Sequence, residues 1–172
     1  HWFDVDWDHL DGRFGLPVLG QPLADVLAAG EITVGTGRDD EGPAAGQPVV
    51  RYYDRVLPLV PGTEGLAHDL PALLDAQHWL LAHWLDSAEV LNYRRFFEVD
   101  TLIGVRVEET DVFEATHAEL LDLHHQGVVD GFRIDHPDGL ADPAGYLAML
   151  RDRLRPDAPV WVEKILEGPE RL

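Results

Sequence analysis

Short apolar runs and longer amphipathic stretches alternate in the last third of the chain. Val128-Val129-Asp130-Gly131-Phe132-Arg133-Ile134-Asp135 reads as a strand, Pro143 to Leu154 as a helix, and Pro159-Val160-Trp161-Val162-Glu163-Lys164-Ile165 as a second strand. Ahead of them a helix is predicted over Val112 to Gln126, with Asp111 as its cap, Glu114 completing a capping box and Gly127 as its stop. Helix, strand, helix, strand with short connections calls for a parallel sheet. Each strand delivers a carboxylate at its far end, Asp135 and Glu163, which is how a β/α barrel presents chemistry at its C-terminal rim.

The earlier part of the chain reads differently. Leu16-Pro17-Val18-Leu19-Gly20 is a brief extended piece, and Pro22 to Gly30 is a short amphipathic helix closed by glycine. Glu31 to Gly35 and Val49 to Val56 alternate like strands on either side of a Gly-, Asp- and Pro-rich stretch, which predicts a hairpin over about 31–56. Leu57 to Thr63 reads as loop. Pro71 then opens a predicted long helix over about 71–91, with Leu73, Leu74, Gln77, Trp84, Leu85 and Ala88 near one stripe. Asn92 to Asp100 breaks that pattern with clustered aromatics and arginines. The expected fold class is α/β: a partial (β/α)8 barrel, its central strands and helices at 111–172, with residues 1–110 as an inserted, mainly helical subdomain carrying the small hairpin.

Charge narrows the partners. Thirteen basic against 32 acidic residues leave a net charge of −19, so nucleic acid and anionic membranes are repelled while a neutral glucan is not. The chain has no cysteine, hence neither a disulfide framework nor a thiolate metal site, which fits a cytoplasmic location. No apolar run reaches the roughly 18 to 20 residues that a membrane span needs, and no signal-peptide pattern opens the chain. It starts at His1 without an initiator Met and stops at Leu172 just past the second strand, so an internal fragment of a longer protein is expected.

Retaining glycosidases hold two carboxyl groups about 5 to 5.5 Å apart, one attacking the anomeric carbon and the other protonating the leaving oxygen. Adjacent parallel strands lie about 4.8 Å apart, so Asp135 and Glu163 at neighbouring strand ends meet that requirement. Arg133 shares a strand face with Asp135 and is expected to hold it ionised and oriented. Either carboxylate alone would be an ordinary strand end; the pair with Arg133 is what points to chemistry. His136 follows Asp135 and points away on the pleat, unless the strand ends there and a turn swings it back. With that proviso His136 is a substrate-contact candidate, and Lys164 stands in the same relation to Glu163. A metal-dependent hydrolase using Asp135, His136, Asp138 and Glu163 lacks the His-x-His or His-Glu-x-x-His spacing that makes such sites persuasive, so no metal or other cofactor is expected.

Gly131-Phe132-Arg133-Ile134-Asp135-His136-Pro137-Asp138-Gly139-Leu140 resembles the second signature region of the α-amylase clan, glycoside hydrolase family 13, and Val162-Glu163-Lys164-Ile165-Leu166 resembles its third. The His136 to Leu140 extension and the upstream Asn92-Tyr93-Arg94-Arg95-Phe96-Phe97 are similar to the clan's intramolecular transglucosylases. The resemblance implies Asp135 as nucleophile, Glu163 as general acid and base, and Arg133 as partner of the nucleophile. It also implies a maltooligosaccharide substrate whose reducing-end α-1,4 bond becomes α-1,1, a monomeric full-length parent, and a closed pocket in which water is excluded. Tyr93, Arg94, Arg95, Phe96 and Phe97 are the candidates for lining it. The clan's first region and its third carboxylate have no counterpart in this chain, so the segment alone is expected to be inactive. The alternatives are a 4-α-glucanotransferase or α-amylase-type glycosidase, or a catalytically silent carbohydrate-binding fragment.

Overall fold

The computed structural model describes residues 1–96, 99–166 and 168–170. It is a mixed α/β structure with two parallel and two antiparallel sheets, and no barrel closes among the described residues. The chain divides into two compact units, Val5–Tyr93 and a second formed by Arg94–Leu172 with His1–Asp4.

In the first unit, β1 (Phe14–Leu19) is followed by α1 (Leu23–Ala28), then β2 (Ile32–Thr36), β3 (Pro48–Tyr52) and β4 (Arg55–Pro58). These three strands form an antiparallel sheet in the order β2-β3-β4, one strand more than the expected hairpin. The run Val49 to Val56 is not one strand: the chain reverses at Tyr53, whose φ of 53° lies in the left-handed region, and Leu57 and Pro58 join the sheet. Beyond it come α2 (Leu70–Asp75), β5 (Trp79–His83) and α3 (Ser87–Val90).

The long helix expected over 71–91 is therefore replaced by two short helices with a strand between them. Gln77 ends α2: its side-chain amide donates to the Leu73 carbonyl (2.6 Å) and its side-chain oxygen accepts from the Val60 amide (2.8 Å). Trp79–His83 then pairs in parallel with β1, Phe14 opposite Trp79 and Leu16 opposite Leu81. A four-residue apolar run, Trp79 to Ala82, fits helix and strand equally, and the backbone ladder offered by β1 decides. With five strands and three short helices, the unit is not the mainly helical subdomain expected. Its core gathers Leu19, Val50, Leu73, Trp79 and Leu81. Asn92, buried, ties its edge: the side-chain oxygen accepts from Gly15 (3.0 Å) and the amide donates to the carbonyls of Asp6 and Arg13 (2.9 Å each).

The second unit begins with a ribbon, β6 (Arg95–Phe96) against β7 (Val99–Ile103), followed by α4 (Thr110–His125), β8 (Phe132–Asp135), α5 (Pro143–Arg153) and β9 (Val160–Glu163). The expected helix, strand, helix, strand order stands. The capping box does not: α4 starts at Thr110, so Asp111 lies inside its first turn and accepts from His1 Nε2 (2.7 Å), while Glu114 accepts from Arg153 Nε (2.6 Å). Gly127, at φ 78°, closes α4. Asp142 caps α5, accepting from the Gly145 amide (2.8 Å), with Pro143 in its first turn.

Packing fixes where β8 and β9 lie. Phe113 is fully buried on α4, stacked on His117 (4.1 Å between centroids) and edge-on to Tyr146 of α5 (5.8 Å). Leu121, Phe132, Leu150 and Leu154 complete that core, so the two helices hold the buried side of β8. The opposite face carries the polar residues.

Candidate active site

β8 and β9 are parallel and in register, Phe132 opposite Val160, Arg133 opposite Trp161, Ile134 opposite Val162, and Asp135 opposite Glu163. Because side chains alternate along a strand, Arg133, Asp135, Trp161 and Glu163 share one face. A carboxylate oxygen of Asp135, one of Glu163 and a ring nitrogen of His136 lie within 4.8 Å of one another. That spacing suits a retaining pair and falls short of the roughly 6.5 to 9.5 Å that leaves room for an attacking water.

His136 resolves its own ambiguity. β8 ends at Asp135, and His136 takes a left-handed conformation (φ 44°, ψ 55°) before the tight turn Pro137–Gly139. Its amide donates to the Glu163 carbonyl (3.0 Å), and its Nε2 comes back to 3.6 Å from Asp135 Oδ1. The turn swings the imidazole to the carboxylates. Left-handed backbone at a non-glycine residue costs on the order of 1 kcal/mol and clusters at functional sites.

Arg133 is placed differently from expectation. Its guanidinium bonds the Glu163 carboxylate rather than Asp135. The physical reason is reach: a long arginine side chain spans diagonally across to the neighbouring strand's end as easily as along its own. Both partners are substantially exposed, 65% and 42%, so the pair adds little stability.

Beside Asp135 lies an open cavity of about 580 Å³, whose lining does not include Glu163. Asp135, His136 and Asp138 line it together with Arg94, Arg95 and Phe96. Phe96 stands edge-on to the His136 ring, 6.4 Å between centroids. Its apolar lining is Leu140 with Ile103, Val105 and Val107, the last three of which sequence reasoning missed.

Not every expected residue reaches the cavity. Tyr93 belongs to the other unit, where its ring is buried and stacked on Phe14 (4.6 Å between centroids). Lys164 sits just past β9 with its Nζ 2.5 Å from Glu170 and 3.8 Å from Asp138, bracing the turn after Asp135. Phe97 lies outside the described residues. Asp135, His136 and Glu163 offer the nitrogen and oxygen donors that a divalent cation accepts. Arg133 on Glu163 already supplies positive charge there.

No family model matches the chain. Two curated relatives from Mycobacterium tuberculosis, strains CDC 1551 and H37Rv, both provisionally named maltooligosyl trehalose synthase, are 40% identical over 174 residues, 99% of this chain and 20% of theirs. A solved structure of maltooligosyltrehalose synthase from Arthrobacter ramosus superposes with a TM-score of 0.74 at 40% identity, covering 99% of this chain and 20% of that one. A further crystal structure of a maltooligosyl trehalose synthase gives a TM-score of 0.72 at 36% identity over 99% and 21%. In sequence and in structure the chain is thus similar, along nearly its whole length, to a segment of the maltooligosyl trehalose synthases, and it spans 20% of the length of the curated relatives it matches.

Proposed function

We propose that this chain is the part of a longer maltooligosyl trehalose synthase that carries the nucleophile and the general acid. Asp135 attacks the anomeric carbon of the penultimate glucose at the reducing end of a maltooligosaccharide, and Glu163 protonates the departing glucosidic oxygen. The released glucose stays bound and turns over, and its own anomeric hydroxyl, deprotonated by Glu163, attacks the β-glucosyl-enzyme. Two inversions retain the α configuration and leave an α-1,1 link. Asp135 and the starting charge of Glu163 are regenerated. The observation that carries this reading is the register of β8 on β9, which sets Asp135 directly opposite Glu163.

The remaining residues support the same chemistry. Arg133 bonded to Glu163 keeps that carboxyl aimed at the shared face, and His136 beside Asp135 is placed to hydrogen-bond a sugar hydroxyl. Arg95 and Phe96 line the cavity as polar and stacking surfaces for the sugar. The reading brings with it a glycoside hydrolase family 13 (β/α)8 barrel of which β8 and β9 are two strands, a monomeric enzyme and a cytoplasmic location; the cysteine-free sequence suits the last.

The test is the product. The full-length protein carrying this segment, given maltohexaose, is expected to remove reducing ends without generating shorter oligomers, and the product should release trehalose on later trimming. Release of glucose or maltose as main products would make it an amylase, and a ladder of longer and shorter chains a 4-α-glucanotransferase; either refutes the synthase reading.

A further inference from the structure

Arg94 was expected to bind sugar, yet its donors point elsewhere. Nε donates to Asp4 Oδ2 (2.8 Å), Nη1 to the Gly139 carbonyl (2.8 Å), and Nη2 to the Val105 carbonyl (3.3 Å) and Glu108 Oε1 (3.2 Å). The same Glu108 oxygen accepts the Ala141 amide (3.2 Å). One ion pair therefore grips the segment after Asp135 at two places, a carbonyl at 139 and an amide at 141.

The pair is seated rather than incidental. The Glu108 side chain is 9% exposed, and its Oε2 makes no hydrogen bond among the described residues, so the Arg94 charge is what compensates the buried carboxylate. Gly104 makes room for the guanidinium: a Cβ there would stand 3.0 Å from both Arg94 Cζ and Nη1. Lysine has no planar fork and cannot reach Asp4, Gly139 and Glu108 together. The held segment also starts with His136 in left-handed backbone, a conformation that persists only where its surroundings over-determine it.

We propose that Arg94, seated on Glu108, is a positioning residue that fixes the His136–Ala141 turn and thereby the placing of His136 against Asp135. The proposal rests on the reading of Asp135 as nucleophile. Arg94 acts through the turn, not on the sugar, so its loss is felt in turnover more than in substrate affinity.

In the full-length protein, Arg94→Lys is expected to lower kcat by about tenfold to a hundredfold, the range a misplacement near 1 Å causes, with KM within about twofold and the melting temperature little changed. Glu108→Gln should do the same, and the double variant should be no worse than the worse single one, because both act through one clamp. If Arg94→Lys does not fold, Gly104→Ala keeps the arginine, pushes its guanidinium back by about 0.4 Å and is expected to give a smaller kcat loss of about two- to fivefold. A raised KM with kcat intact would overturn the proposal in favour of direct sugar binding, and unchanged kcat in Arg94→Lys or Gly104→Ala would overturn it outright. Asp135→Asn, assayed alongside, separates the two claims. If it retains activity, the nucleophile reading fails; if it is inactive while Arg94→Lys turns over normally, only the clamp fails.

Discussion

Replacing Gly131 by alanine would drive a methyl group between the two carboxylate-bearing strands. Gly131 immediately precedes β8 and faces Pro159, which immediately precedes β9; the Phe132 amide donates to the Pro159 carbonyl (3.0 Å) as the first rung of their ladder. A Cβ at 131 would lie 2.5 Å from that carbonyl oxygen and 2.6 Å from the proline Cγ. The carbonyl is backbone and cannot rotate aside, so the strands must part by about 0.9 Å to reach the 3.4 Å of ordinary contact. Overpacking of this kind costs about 1 to 3 kcal/mol, and the strained first rung adds about 1 kcal/mol more. Four residues along, the same displacement changes the separation of Asp135 and Glu163, and misplacement of about 1 Å costs up to a hundredfold in rate. Gly131→Ala in the full-length protein should therefore lower the melting temperature and cut kcat by about ten- to a hundredfold. Thermal unfolding and steady-state loss of reducing ends from maltohexaose read both. Wild-type values in both assays would refute the idea that the β8–β9 spacing sets the carboxylate geometry.

Three further outcomes follow from the same structure. His136→Gly removes the side chain but suits the left-handed backbone at 136, so it should lose activity without lowering the melting temperature; destabilisation would show that the imidazole, not the turn, holds this loop. Burial holds the His117 imidazole below its ordinary pKa, so the unfolded chain takes up its proton first: stability is full above about pH 6.5 and falls as pH drops below it. Wild-type protein should therefore lose more melting temperature between pH 7 and pH 5.5 than His117→Gln, and equal losses would contradict this. Phe113→Ala empties the centre of the second unit's core and should cost about 3 to 5 kcal/mol by chemical denaturation; a loss below 1 kcal/mol would place the core elsewhere.

The part of the chain that brings Asp135 and Glu163 together was the part most legible in the sequence. Between 128 and 165 the apolar runs are short, bounded by Gly and Pro, and each ends in a carboxylate, so strand identity, direction and pairing follow from pattern alone. The stretch over 71–91 misled because the residues from Trp79 to Ala82 are apolar on both faces and their fate depends on β1, sixty-odd positions earlier. Tyr53 adopts left-handed backbone that its residue type does not announce, and His136 one that histidine only mildly favours. Side-chain partners were least legible: Arg133 reaches Glu163 instead of Asp135, and Arg94 spends its donors on Asp4, Glu108 and backbone carbonyls. Such choices depend on which acceptors folding brings within reach of a long, flexible side chain.

The central claim is that Asp135 forms the covalent bond to sugar. A Glu163→Gln variant of the full-length protein, given a maltooligosyl fluoride whose leaving group needs no acid, should accumulate the glycosyl-enzyme. Peptide mass spectrometry is predicted to find the glycosyl adduct on Asp135. An adduct on any other residue, or fluoride release with Asp135 never modified, would contradict the account.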